Sequence, residues 1–205
     1  MYRRMLVVLD GSKLAEETIP YACQMAGRLD INVDLLHVTS PLASKALPFM
    51  IQFYMDKMAE SIKEQILKIQ TTITNKKALK PVEVKSKVVT GHPVEEILKY
   101  TQENTIDLIM IATHGASGIR RWAALGSVAN QVLHAAEVPV LLIRSGMSPT
   151  PIDGRLAHTI LVPLDNSKVA EAALPYAEEL AKQRGVQSVE ILLVNVCEPY
   201  IIPEE

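Results

Sequence analysis

The stretch IDLIMIATHGASGIRRWAALGSVANQVLHAAEVPVLLIR, Ile106 to Arg144, decides how this chain is read. It opens on an apolar run, Ile106–Ala112, whose composition suits a strand buried on both faces. It closes on a second run, Val138–Ile143, where Pro139 falls among the first residues of a strand, a position that tolerates proline. Between them lie three glycines, Gly115, Gly118 and Gly126. Gly126 is followed by Ser127 and then a helical apolar spacing, Val128, Val132, Leu133 and Ala136. The unit is strand, glycine loop, helix, strand. A glycine loop that empties into a helix N-terminus offers backbone N–H groups and the positive end of a dipole, a place to hold phosphate.

Working outward toward the N-terminus, Arg4–Leu9 is a short apolar run stopped by Asp10-Gly11-Ser12, a strand followed by a loop. Ser12 suits the cap of the next helix, with Glu16 and Glu17 near its positive end. Leu14, Thr18, Ile19, Ala22, Met25, Ala26 and Leu29 mark the inner face of that helix, and Pro20 inside the pattern predicts a kink or one lost hydrogen bond. Val33–Val38 reads as the second strand. Thr39–Lys57 is rich in Pro, Met, Phe and Tyr and is no polar loop; its apolar side chains are expected either to cover the sheet end or to contact a partner, with cover favoured. Met58–Leu79 reads as a long amphipathic helix with Ile62, Ile66, Ile69 and Ile73 on one stripe. Val82–Thr90 alternates as a third strand, and Gly91-His92-Pro93 breaks it, with Pro93 suited to the first turn of a helix whose Val94, Ile97, Leu98 and Thr101 face inward. Strands alternating with helices imply parallel βαβ units, an α/β doubly wound sheet with helices on both faces.

In such a sheet ligands lie beyond the carboxyl ends of the strands, where the strand order reverses. Two loops have the composition for that point, Asp10-Gly11-Ser12 and Thr113–Ser127. If their strands are neighbours, Asp10 faces the glycine loop. A carboxylate there can bind a ribose hydroxyl or a magnesium ion, while loop N–H groups and the Ser127 hydroxyl hold phosphate. The same residues also fit a simpler role, with Asp10 capping the next helix and the glycines making a turn.

Composition narrows the classes. The chain has 205 residues, 48% apolar and 21% charged, so it can build a core and is not disordered. Its net charge of −2 argues against a nucleic-acid partner. The apolar run before Asp10 is too short for a signal sequence or a membrane span. Cys23 and Cys197 give neither a disulfide framework nor zinc spacing, and a cytoplasmic location is expected. No phosphate-binding GxxxxGK[ST] occurs. Thr113-His114-Gly115-Ala116 lacks the second histidine of the HxGH motif of nucleotidyl transferases. His114 has no acid and nucleophile spaced to make a triad with it, so a loop-orienting hydrogen bond is expected of it. Arg120 and Arg121 are read as solvated, Trp122 as a packing anchor and Cys23 as a small core residue.

The chain repeats its own beginning. Residues 5–22, MLVVLDGSKLAEETIPYA, lie over residues 160–177, ILVPLDNSKVAEAALPYA, with 11 of 18 positions identical, including Asp10 with Asp165, Ser12 with Ser167 and Pro20 with Pro175. Val189–Val196 is the counterpart of the second strand. The expected organisation is a first domain over 1–145, a linker over 146–157 and a partial second copy, β-α-β, over 158–205. The copy stops with no room for a second glycine loop, so part of the natural sequence is expected to be missing.

LVVLDGS, LLHVTSP and ATHGASGIRRWAALGSVANQVL…VPVLLIR together resemble the universal stress proteins. That resemblance implies a five-stranded parallel sheet of order 3-2-1-4-5, frequent dimerisation through the fifth strand and, in one branch, ATP across the switch point. The nucleotide-binding branch carries glycine, two residues, glycine, nine residues, then glycine with Ser or Thr. Laid on this chain, the pattern falls on Ala112, Gly115, Gly126 and Ser127, with alanine for the first glycine and ten residues in the longer spacer. The same alignment puts Val8 and Val38 at the adenine, Asp10 at ribose or Mg2+, and Gly118 and Val128 beside the phosphate-binding residues. The implied activity is that of an ATP-binding stress-response or signalling module with at most slow hydrolysis and no assigned catalytic residue. The implied partner is a second chain, or the sister domain, at the strand Val138–Arg144. The alternative is a branch that binds no nucleotide and acts through dimerisation and protein contacts.

Overall fold

Six residues, RMLVVL, form β1 (Arg4–Leu9), and its side chains from Met5 to Leu9 are all buried. A strand with no polar face must be paired on both edges and covered on both sides, and β1 is. It pairs in parallel with β2 (Asn32–Thr39) on one edge and with β4 (Leu108–Ala112) on the other. β3 (Val84–Thr90) adds to β2 and β5 (Val140–Ile143) adds to β4, giving one parallel sheet of order β3-β2-β1-β4-β5. The computed structural model describes residues 2–42, 47–74, 81–114, 125–144, 157–183 and 188–196. The chain divides into two compact units, Tyr2–Leu156 and Ala157–Glu205.

Alternation along the strands sorts the core into two layers. Leu6, Val8 and Leu36 point to the face covered by α4 (Pro93–Glu103) and α5 (Ser127–Ala135), where they join Ile97, Ala129 and Val132. The other face is covered by α2 (Ile19–Leu29) and α3 (Leu47–Thr74), which pack on each other and on β2. At the amino edge of the sheet the buried Asp34 accepts from Arg4 Nη1 at 2.9 Å and from the Tyr100 hydroxyl at 3.0 Å. Arg4 Nη2 reaches Glu83 at 2.7 Å. A buried carboxylate is tolerated here because it is paired and hydrogen-bonded.

Four expectations need correction. Pro20 does not kink a helix: the segment divides into α1 (Lys13–Glu16) and α2, with Pro20 in the first turn of α2, where its missing N–H has no intrahelical role. The long helix does not begin at Met58: α3 begins at Leu47, within Thr39–Lys57, and carries Pro48 in its first turn. Its apolar side chains cover the sheet only in part: Met55 is buried, whereas Phe49, Met50 and Phe53 are exposed. Leu133 of α5 is 39% exposed, and the buried positions of that helix are Ala129 and Val132. Strands β3, β4 and β5 each start two residues later than the apolar runs suggest.

The second unit holds β6 (Thr159–Leu164), α6 (Lys168–Glu171), α7 (Leu174–Ala181) and β7 (Glu190–Asn195), with β6 and β7 paired in parallel. The sequence repeat is repeated in its turns. The Ser12 N–H donates to Asp10 Oδ1 at 2.9 Å, and the Ser167 N–H donates to Asp165 Oδ1 at 2.9 Å. Both serines cap the following short helix, accepting from Ala15 and Ala170. Gly11 has φ +79°, and Asn166 takes the equivalent left-handed position with φ 66°, the region that asparagine tolerates better than most L residues. The Ser167 hydroxyl and N–H hold the Asp165 carboxyl below the usual carboxylate range.

The contact between α2 and α3 is set by the missing side chain of Gly27. A Cβ there would lie 2.7 Å from Ile69 Cγ2 and 3.0 Å from Ile69 Cβ. Gly27→Ala is expected to lower the stability by about 1–3 kcal/mol through overpacking, and Gly27→Ala/Ile69→Ala to recover part of that loss relative to Ile69→Ala alone. Urea unfolding of the three variants checks this.

Candidate functional site

The strand order makes β1 and β4 neighbours whose continuations run in opposite directions across the sheet, β1 on to β2 and β4 on to β5. Their register, Val7 opposite Met110, brings both carboxyl ends to the same edge. A crevice opens where such continuations part. A cavity of about 230 Å³ lies there, lined by Val8, Asp10, Val38, Ala112, Gly126, Ser127 and Val128 among others. Residues more than a hundred positions apart therefore share one wall. Gly115 and Gly118, and with them Arg120, Arg121 and Trp122, lie outside the described residues.

The base of the glycine loop is closed by backbone. The Thr113 N–H donates to the Ile143 carbonyl at 2.9 Å, and the Gly126 N–H donates to the Thr113 carbonyl at 2.8 Å. The Gly126 N–H is thereby committed to holding the loop's two ends together. Gly126 is also the N-cap of α5 and has no side chain with which to cap it. Its first intrahelical bond runs from the Asn130 N–H to the Gly126 carbonyl at 2.9 Å. The N–H groups of Ser127, Val128 and Ala129 precede it in the first turn, where a helix has no carbonyl of its own to offer. With Ser127 exposed at the mouth of the cavity, this end of α5 has the polarity that an anion needs.

The remaining walls are apolar. Val8 and Ala112 are buried, and Ile97, Ile111 and Pro93 complete a slot on the α4 side. Pro93 and Ile97 were not expected at the site; the signal for them was the Gly91-His92-Pro93 break, which starts α4 at this same edge. His114 lines the cavity with its Nδ1 3.1 Å from the Thr113 hydroxyl. Asp10 is the charged residue among those described around the cavity, and its Oδ1 is used by the Ser12 N–H. Asp10 thus holds its own turn while its exposed carboxylate borders the crevice. The cavity is thus lined both by a carboxylate and by the N-terminal turn of α5, groups of opposite electrical sign.

Among the described residues no group of three or more His, Cys, Asp or Glu is assembled to hold a metal ion. The Cys23 thiol is buried and pushed up to about 12 by desolvation, so it is not a nucleophile.

The universal stress protein family profile matches residues 1–144. The chain belongs to this family. Universal stress protein YxiE of Bacillus subtilis is 29% identical over 151 residues, spanning 70% of this chain and all of YxiE. Universal stress protein MJ0577 of Methanocaldococcus jannaschii is 27% identical over 156 residues, 70% of this chain and 96% of that protein. A solved structure of MJ0577 superposes with a TM-score of 0.50 at 26% identity, covering 72% of this chain and 99% of that one. A universal stress protein from Archaeoglobus fulgidus has the same fold, with a TM-score of 0.68 at 21% identity over 95% of this chain and 67% of that one. The five-stranded order 3-2-1-4-5 is the fold of this universal stress protein. Among the described residues no helix is long and apolar enough to cross a membrane.

On the other side of the β1 turn lies His37, buried at 8% exposure. Desolvation lowers its pKa, against the opposing pull of a hydrogen bond to the Leu9 backbone and the charge of Asp10. The unfolded chain therefore binds a proton near pH 6.5 that the folded chain refuses. Stability is full above that pH and falls as the pH drops below it toward the folded value. Urea midpoints between pH 7.5 and 5.5 are expected to fall, and to fall less in His37→Gln.

Proposed function

We propose that the crevice between β1 and β4 holds an adenine nucleotide, ATP with Mg2+, and that the chain acts as a nucleotide-responsive stress or signalling module. The observation that supports this reading is the pairing, in one cavity, of apolar walls from Val8, Val38 and Ile97 with the N-terminus of α5. The apolar slot suits a base, and the first-turn N–H groups with Ser127 suit phosphate. Asp10 takes a ribose hydroxyl or the metal ion. Two like unit charges about 5 Å apart repel by roughly 3 kcal/mol at an effective dielectric of about 20, so a triphosphate beside Asp10 requires a counter-ion. In this reading Ala112, Gly115, Gly118, Gly126 and Val128 shape the phosphate loop. Gly126 acts through the loop closure it makes with Thr113 and not through its N–H.

The nucleotide works by ordering the segment between Thr113 and Ser127 and changing a partner surface. At most slow hydrolysis accompanies it, with Asp10 as the available base. β5 is the terminal strand of its sheet, and its outer edge pairs with a second chain or with the sister domain in the proposed assembly. Residues 1–145 form the complete domain, 146–157 a linker and 158–205 part of a second. We place the protein in the cytoplasm.

Ala112 favours a second reading, a branch that binds no nucleotide and works through dimerisation and protein contacts. Its methyl group occupies the wall where the nucleotide-binding pattern has glycine, and it is buried at 6% exposure.

Titration of ATP with and without Mg2+ separates the two. Ser127→Glu adds a negative charge at a helix N-terminus, which leaves folding intact or slightly strengthened, but it sets that charge against phosphate. Nucleotide affinity is expected to fall at least about tenfold, roughly 1.4 kcal/mol, with the melting temperature unchanged or higher. Asp10→Asn is expected to remove the Mg2+ dependence. Equal binding by wild type and Ser127→Glu, or no binding by wild type, sinks the ATP reading and leaves the second.

A further inference from the structure

The turn after β1 borders two cavities. The second lies on the α2–α3 face of the same sheet edge, has a volume of about 450 Å³, and shares Leu9 and Asp10 with the first. Strand alternation explains the division: Val8 and Val38 line only the first cavity, on the α4–α5 side, whereas His37 lines only the second, on the α3 side. The early start of α3 at Leu47 supplies the outer wall, with Met50, Tyr54, Met55 and Met58.

Its chemistry differs from that of the first. Three thioethers line it, and these are polarizable, unbranched side chains that adapt to apolar guests of varied shape. Both charged residues lining it are carboxylates, Asp10 and Glu16, and no Lys or Arg is among the described residues that line it. The Tyr54 hydroxyl donates to Glu16 Oε1 at 3.0 Å, tying α3 to α1 across the rim. The bond to Glu16 pushes the Tyr54 hydroxyl's pKa up and burial pushes that of His37 down, and both shifts favour the uncharged form.

We propose that this second cavity is a binding site for an amphipathic organic cation, an ammonium group on a short apolar body. The ammonium lies at the Asp10–Glu16 rim and the apolar body against Met55 and Met58. Among the described residues that line it, the pairing of two carboxylates with three thioethers favours this ligand class over neutral apolar molecules and over anions. Asp10 borders both cavities, but Glu16 and Met58 line only the second, so substitutions at these two residues test this site apart from the nucleotide reading.

Calorimetric titration of the whole chain with hexylammonium, hexanol and hexanoate tests it. Hexylammonium is expected to bind at least tenfold more tightly than hexanol, with no binding by hexanoate. Glu16→Gln is expected to weaken hexylammonium at least threefold while leaving hexanol unchanged, and Met58→Trp, which fills the interior, to abolish both. The melting temperature of each variant and its ATP titration report whether the fold and the other cavity are intact. Equal affinity for hexylammonium and hexanol, binding of hexanoate, no binding of hexylammonium, or unchanged hexylammonium binding in either folded variant overturns the proposal.

Discussion

Everything in the first unit depends on β1 being hydrogen-bonded along both edges. Its partners are β2, which follows after one helical crossover, and β4, which arrives about a hundred residues later. Closing that second pairing carries a loop-closure cost that rises only slowly with length, and it is offset by burying five consecutive side chains of β1. Once made, the pairing fixes which loops meet. The turn at Asp10 and the entry to α5 at Gly126 are brought to one sheet edge by strand order.

The same strand explains why one short turn serves two chemistries. Successive side chains of β1 and β2 alternate between layers, so Val8 and Val38 line only the first cavity and His37 only the second, while Leu9 at the strand end borders both. On the α4–α5 side the polar element is a helix N-terminus, rich in backbone donors. On the α3 side it is a pair of carboxylates around an apolar interior. Asp10 belongs to both because it sits beyond the last strand residue, where alternation ceases to assign a face. Its bond to the Ser12 N–H keeps the turn in one conformation, and Gly11 supplies the positive φ that the turn requires. The second unit reproduces that turn with Asn166 in place of glycine.

Several features were legible because they are local. Asp10-Gly11-Ser12 announces a turn and a cap by residue type, Gly126-Ser127 announces a helix start, and the isoleucines from Ile62 to Ile73 announce the buried stripe of α3. Other features were misread where two local signals compete. Pro20 interrupts an apolar period that is continuous across α1 and α2, and only the backbone shows that the period spans two helices. The beginning of α3 is rich in proline and aromatic residues, which suggests irregular chain; yet Ile51, Met55 and Ala59 already carry the helical spacing that continues to Ile62. Leu133 fits the apolar period of α5 but faces outward, since the helix rotates to bury the smaller Ala129 against the sheet. The commitment of the Gly126 N–H to Thr113 is invisible in sequence, being set by where β5 lies.

The sequence by itself determined the alternation of strand and helix, the parallel sheet, the internal repeat and the two loops rich in ligand-binding residue types, because each is written in periodicity or in residue chemistry over a short span. Tertiary structure decided which walls those loops share, how the helix ends are satisfied and that a second cavity opens behind the first. Those outcomes depend on register between strands distant along the chain and on the rotation of helices against the sheet, and both are fixed by packing that no single segment encodes.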